Sequence, residues 1–376
     1  MVLIQHGRLH TMTEPEVFQG DILLRDGKIA AIASEICPED GMEVVDARGL
    51  EVYPGFIDPH SHIGLAEEQK TPVGDPSNES TNPVTPALRG LDGVNPLDGA
   101  FHNALAAGVT GVMAGPGSAN PIGGQFCFLK TAGRRVDEMV VLECAAMKVA
   151  FGENPISCYG PNGNMPSTRM GTASLIREEL FRARQYLEDG NETDYKLECW
   201  RAVFERKIPL KAHVHRTDDI FTAIRIAREF ELDLTLDHCT QGHLIAEEIS
   251  ESGFPAIVGP SLASRTKEEV NCSDFKTPGI LQKVGVLVAL TTDHPVSRIQ
   301  YLPLCAALAA KEGLGEWEAL RAITYNAAKI SRVEHRLGTL EVGKDADVVL
   351  WRGSPLLVAS SVEQVFVNGR SVWPVS

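Results

Sequence analysis

Between residues 55 and 338 short apolar runs alternate with longer stretches of helical period, and both ends of the chain carry a different pattern. Eight runs stand out: FIDPH, VTGVMAG, QFCFL, AAMKVAF, LKAHVH, LDLTLDHC, PAIVGP and VGVLVALTTD. Several are separated by clear helices, namely PLDGAFHNALAAG, TASLIREELFRARQYLEDG, DDIFTAIRIAREF, QGHLIAEEIS and LPLCAALAAKEG. Buried strands alternating with helices signal βα units around a parallel sheet. Eight of them fit a (β/α)8 TIM barrel, an α/β fold. The early units are irregular. GPGSANPIGG, between the second and third runs, shows no helix, and KTAGRRVDEM, between the third and fourth, reads as a turn.

The chain ends read as short strands broken by turns. VLIQHGRLHTM, GDILLRDGKIAAIA and MEVVDARGLEVYP cluster β-branched residues around Gly and Asp-Gly signals. DADVVLWRG and VEQVFVNGRSVWP, with an Asn-Gly turn, do the same near the C-terminus. The expected organisation is a barrel over 55–338 and a small β-sandwich assembled from 1–54 and 339–376. The Pro-, Gly- and Asn-rich stretch from Glu67 to Pro96 follows the first barrel strand and predicts a lid or a wall of a substrate site.

Composition narrows the function classes. The chain has 376 residues with 43% hydrophobic positions, which excludes disorder and fibrous repeats. Its net charge of −15 argues against nucleic acid, since phosphate binding needs a basic face. No window approaches the roughly 20 apolar residues of a membrane span. The segment MVLIQHGRLHTMTEP lacks the charged start and apolar core of a signal peptide. Eight scattered cysteines without a CxxC pair read as free thiols of a reducing compartment, so the cytosol is expected.

The histidines carry the chemistry. His60, His62, His213, His215, His238, His243 and His294 all fall at or just beyond the ends of expected strands. In a barrel those ends share the face where active sites are built. His60 and His62, two residues apart in PHSH, present both imidazoles to one side, so both can reach one metal ion. A lone histidine is more often a hydrogen-bonded core residue, but four strand ends each offering one point to a metal. Asp293 ends the run VGVLVALTTD; a turn aspartate before Pro295 is the plain reading, and a metal ligand that also handles a proton fits better beside the histidines. Lys148 lies inside the apolar run AAMKVAF, where an unpaired ammonium is costly. A neutral lysine amine can take up carbon dioxide as an anionic carbamate able to bridge two metals. The plain alternative is a lysine reaching the rim or pairing with Glu143 or Glu153, and Lys130, ending QFCFLK, competes for the same role.

These residues match a family pattern. PGFIDPHSH resembles the metal-binding signature of the amidohydrolase superfamily, and LGTLEVGKDADVVLW resembles its passage from barrel to β-sandwich. The resemblance covers essentially the whole chain and is nearest to the imidazolonepropionase-like group, with its prolidase-like relatives. It implies metal ligands at His60, His62, Lys148, His213, His238 and Asp293, with Asp293 catalytic. His215 and His243 are extra histidines beyond that pattern, expected to contact substrate or support the ligands, and Arg265 in PSLASRTK is expected to meet a substrate carboxylate. The plain alternative for each is a surface residue. The expected reaction is hydrolysis of an amide or cyclic-amide C–N bond in a small molecule. The metal polarises the carbonyl and supplies hydroxide, while Asp293 moves the proton to the leaving nitrogen. Zinc is the default ion, one or two per chain, with a Lys148 carbamate in the two-ion case. The alternatives are a one-metal deaminase-type aminohydrolase and a non-catalytic scaffold. The resemblance also leans towards a homo-oligomer.

Overall fold

The computed structural model describes residues 1–68, 76–190 and 193–374. The N-terminal segment supplies five strands, β1 (Val2–Leu9), β2 (Phe18–Arg25), β3 (Lys28–Ala33), β4 (Glu43–Asp46) and β5 (Glu51–Pro54). Eight more form the barrel: β6 (Phe56–Ser61), β7 (Val109–Ala114), β8 (Ile122–Lys130), β9 (Val140–Ala150), β10 (Leu210–Val214), β11 (Leu234–His238), β12 (Ala256–Val258) and β13 (Val288–Leu290). The C-terminal segment adds β14 (Val348–Arg352), β15 (Ser361–Val367) and β16 (Arg370–Trp373).

The two terminal segments form one sheet in the order β16-β15-β14-β5-β1-β2-β3, with β4 also beside β1. Its hairpins turn where the sequence demands. Asp26 and Gly27 have φ of 51° and 77°, and Asn368 and Gly369 have 48° and 70°, the paired positive values of a tight two-residue hairpin. Ile4, Leu9, Ile22, Val52, Val348 and Phe366 fill a core of its own. Only Gly55 separates β5 from β6. A Cβ there would lie 1.9 Å from Thr110 Oγ1, so glycine lets the chain pass from sheet to barrel.

The barrel strands adjoin in chain order, β6 to β13. Pairing is parallel from β6 to β7 and from β9 onwards, but β8 runs antiparallel to both neighbours. The third unit of an all-parallel barrel is therefore corrected to a reversed strand. Residues 115–121 and 131–139 are the connections that flank it. Both are shorter than the dozen or so residues a parallel crossover needs, so the chain doubles back. The expected turn in KTAGRRVDEM contains one short helical turn, Val136–Met139. Reversal sends the end of β8 to the opposite rim, where Lys130 Nζ meets Asp347 at 2.7 Å and Asp345 at 3.0 Å and ties the barrel base to the terminal sheet. That removes Lys130 from competition with Lys148.

Helices cover the later strands as expected, including Arg169–Asp189, Thr217–Glu229, Ala246–Ser252 and Leu302–Ala309. Thr168 caps the first through its side chain, which accepts from Gly171 N, and Gly190 ends it at φ 63°. Two helices the pattern did not announce, Glu316–Ala322 and Tyr325–Ile330, pack against β13. Among the described residues no helix is long and apolar enough to cross a membrane. All eight cysteines are free.

Candidate active site

Four side chains meet at one end of the barrel. His60 lies on β6, His62 just past it, His238 ends β11, and Asp293 follows β13. Each imidazole is oriented through its Nδ1. His60 Nδ1 is 2.5 Å from Asp237 Oδ2, His62 Nδ1 donates to Gly115 O at 2.7 Å, and His238 Nδ1 donates to Gly259 O at 2.7 Å. A carbonyl or carboxylate only accepts, so the ring proton sits on Nδ1 and each Nε2 keeps its lone pair. Asp237 is itself held by Lys211, whose Nζ lies 2.9 Å away and also donates to Pro59 O at 2.8 Å.

Two of those nitrogens approach the Asp293 carboxylate, and His60 Nε2 also has Lys148 Nζ at 3.3 Å. His60 Nε2 is 3.5 Å and His62 Nε2 3.2 Å from Asp293 Oδ1, while His238 Nε2 is buried without a hydrogen-bond partner. Lone pairs turned on a carboxylate repel unless a cation lies near, and the buried Lys148 ammonium relieves only the His60 side. His60, His238 and Asp293 bring their donor atoms within 4.8 Å of one another. Imidazole nitrogens and a carboxylate suit a divalent ion such as zinc. Burial, then Lys148 and Lys211, push His60 well below the ordinary histidine range, so it stays neutral as a ligand must. Burial alone would raise Asp293, but His238 and His62 outweigh it and hold the carboxyl below its usual range.

The position of Asp293 is fixed from behind. Asp58 accepts from Thr291 Oγ1 at 2.7 Å, Thr292 N at 3.0 Å and Thr292 Oγ1 at 2.6 Å, joining β6 to the end of β13. Thr291 Oγ1 in turn accepts from Asp293 N at 3.0 Å. Asp293 sits at φ 52°, a conformation uncommon outside glycine, which re-aims the chain after the strand.

Known proteins place this geometry. The amidohydrolase family profile matches residues 190–372. An amidohydrolase from Thermotoga maritima superposes with a TM-score of 0.96 at 42% identity, covering 99% of this chain and all of the other. The chain belongs to the amidohydrolase family. This amidohydrolase is 29% identical to the amidohydrolase TasK of Hapsidospora irregularis over 94% of its own length but only 40% of that protein, so it spans less than half of that curated relative. It is also 26% identical to an imidazolonepropionase of Symbiobacterium thermophilum, over 88% of this chain and 83% of the other. Family members with such names are hydrolases acting on carbon–nitrogen bonds.

The remaining expected residues divide. Lys148 Nζ, fully buried on β9, lies 3.3 Å from His60 Nε2 and over the Phe126 ring, and burial brings its pKa down to about 8. Glu143 is instead paired with Arg89. His213 and His215, at the end of β10, gather with Glu269 into a second group beside the first, the His213 and His238 rings lying 4.4 Å apart. A cavity of about 520 Å³ opens above both groups, walled by His62, His213, His215 and Asp293 together with Arg265 and Lys267. His243 is not among its lining residues; its Nδ1 lies 3.0 Å from Thr277 Oγ1. That places His243 outside the expected substrate contacts. Arg265 is exposed on the wall and donates to Ser273 O at 3.2 Å. His294 Nδ1 accepts from Ile299 N at 3.2 Å, and His294 is not among the cavity's lining residues. From the expected lid, Ser77 and Asn78 line the cavity and Val84 and Arg89 bridge to β8, while 69–75 lie outside the described residues.

Sequence reasoning does not single out Asp237, Lys211, Asp58 or Glu269. Lys211 had a usable signal, since it interrupts an apolar strand as Lys148 does, and Asp237 directly precedes a ligand histidine. Glu269, in the charged stretch TKEEV, had none.

Proposed function

We propose that this amidohydrolase cleaves an amide or cyclic-amide C–N bond of a small molecule, using a divalent ion, zinc by preference, held by His60, His62, His238 and Asp293. One observation supports this most: three imidazoles have Nδ1 committed to acceptors, two of them bring Nε2 to one carboxylate, and the third leaves a buried Nε2 without a partner beside it. The ion, when bound, supplies Lewis-acid polarisation of the carbonyl and a water acidified for attack. The chain's own residues do the rest. Asp293, at the cavity floor, accepts the proton from the attacking water and delivers it to the departing nitrogen. Asp237 and Lys211 hold His60 in the ligand tautomer, and Gly115 O and Gly259 O do so for the other two. The walls of the cavity position the substrate and exclude bulk water, with Arg265 and His215 as its polar contacts. In a two-ion centre Lys148 would carry a bridging carbamate. The eight free thiols support a reducing compartment, the cytosol, as its setting.

The test is a hydrolysis screen over dipeptides, N-acyl amino acids and ring amides, run on protein purified without chelators. Turnover of one class, lost after chelation and restored by Zn²⁺, is the expected result. Undiminished turnover in the chelated protein would overturn the metal-dependent reading.

A further inference from the structure

We propose that the substrate of this amidohydrolase carries a carboxylate, which Lys267 takes on the cavity wall with Arg265 as its outer partner. The proposal rests on the hydrolytic reading above and names the substrate class for the same cavity. One wall of that cavity comes from the loop between β12 and the helix Thr277–Lys283, with lining residues from Pro260 to Ser273. The loop is fixed at its start beside the candidate ligands. Gly259 O accepts from His238 Nδ1 at 2.7 Å, and Leu262 O accepts from Ser297 Oγ at 2.6 Å.

Two cations line the cavity from this loop, and they are held differently. Lys267 Nζ donates to Glu269 Oε1 at 2.5 Å and to Asn154 Oδ1 at 2.7 Å. An ammonium has three N–H groups, so one remains. The Lys267 side chain is 23% exposed and that of Glu269 0%, and Glu269 is not among the lining residues. The pair therefore presents its cation to the cavity and keeps its anion behind, where Glu269 Oε2 accepts from Glu153 N at 2.9 Å. Arg265 pairs with no carboxylate among the described residues. Its hydrogen bond from Nη2 to Ser273 O leaves most of its five N–H groups for a ligand.

The acids among the described lining residues are Asp293, which faces the imidazoles, and Glu67. In a chain of net charge −15, a wall with two cations, one of them without an acidic partner, concentrates anions at the cavity. Lys267 also stands near the reacting end. Asn154, which it holds, brings its amide nitrogen to 3.4 Å from His213 Nε2, and the His213 ring lies 4.4 Å from that of His238. One cavity of about 520 Å³ is lined by Asp293 and Lys267 alike, so one small molecule can meet both. Pinned by two acceptors, the ammonium gives up little freedom on taking an anion. The amides selected in this way are those with a free carboxylate. A neutral analogue would cover the remaining Lys267 N–H without supplying an anionic acceptor, and such a site rejects it.

The test pairs each carboxylate-bearing dipeptide, N-acyl amino acid and ring amide with its carboxamide, so that the two differ in that charge alone. Hydrolysis is measured on the full-length protein loaded with Zn²⁺, with circular dichroism and zinc content recorded for every variant. In the wild type kcat/KM should favour the acid by about 100-fold or more. Lys267→Met should lower that ratio by about 10-fold or more, while Lys267→Arg, which keeps the charge, should retain most of it. Arg265→Met should lower the ratio through a raised KM for the acids, and it serves if Lys267→Met does not fold. Equal kcat/KM for acids and carboxamides in the wild type would overturn the proposal. So would a ratio unchanged in Arg265→Met and in folded Lys267→Met. If the zinc-loaded wild type turns over no member of any class, the hydrolytic reading itself falls, and the proposal with it.

Discussion

Asp293 touches two of the three imidazoles, at 3.5 and 3.2 Å, and its pKa is held low by His238 and His62 against the effect of burial. Asp293→Asn keeps the shape but removes the anion and the proton acceptor. Turnover should fall by about 10³-fold or more, with melting temperature and circular dichroism close to wild type. Retained turnover would show that another group moves the proton. Asp237 acts one step back, through His60. Asp237→Asn should weaken zinc binding by roughly 10–100-fold, read by competition with a chromogenic chelator, because the tautomer and orientation of His60 are no longer imposed. Lys211→Met leaves Asp237 as a buried charge without its ammonium and should cost about 3–5 kcal/mol in a urea titration.

At the level of elements, the reversed β8 brings Phe126 under the centre, its ring 5.3 Å from that of His60 and 6.1 Å from that of His62. The strand can approach so closely because Gly115 stands opposite. A Cβ on Gly115 would meet the Phe126 ring at 2.3 Å, and Gly115 O is the acceptor that orients His62. Gly115→Ala should therefore lower stability by about 1–3 kcal/mol through overpacking and weaken zinc binding at the same time. Thermal melts with and without Zn²⁺ report both. A variant that loses stability alone would separate the packing role of β8 from its support of the site.

Across the whole molecule, the barrel base is fastened to the terminal sheet by charge. Asp345 contacts Lys130 at 3.0 Å, Lys28 at 2.6 Å and Arg336 at 2.8 Å. Burial works to raise its pKa, but Lys130 and the other cations prevail and hold it at about 2 against an ordinary 3.8. A depressed carboxyl stabilises the fold fully above about pH 4, and that contribution is lost as pH falls towards 2. Urea titrations between pH 5 and 2 should therefore show a loss of stability on acidification that is shallower in Asp345→Asn. An equal slope in the two proteins would show that other carboxyls set the acid limit. Lys130→Met, which leaves Asp345 and Asp347 facing each other, should cost roughly 3–5 kcal/mol throughout the neutral range.

Local chemistry made much of this legible. The eight apolar runs, the Asp-Gly and Asn-Gly hairpins and the period-two pair His60 and His62 follow from strand geometry and turn stereochemistry, which neighbouring residues largely impose. The reversal of β8 was not read there, because the short connections that force it emerge only with the strand bounds of the folded chain. What a histidine at a strand end touches is a different matter, because its partners lie far along the chain. His60 meets Asp237, 177 residues away, and Lys267 meets Asn154 at a separation of 113. Sequence thus determined the terminal sheet, the barrel apart from the direction of β8, and the residues able to bind a metal apart from Glu269. Only the tertiary structure decided which side chains stand beside each of them, because those partners arrive from distant strands and loops.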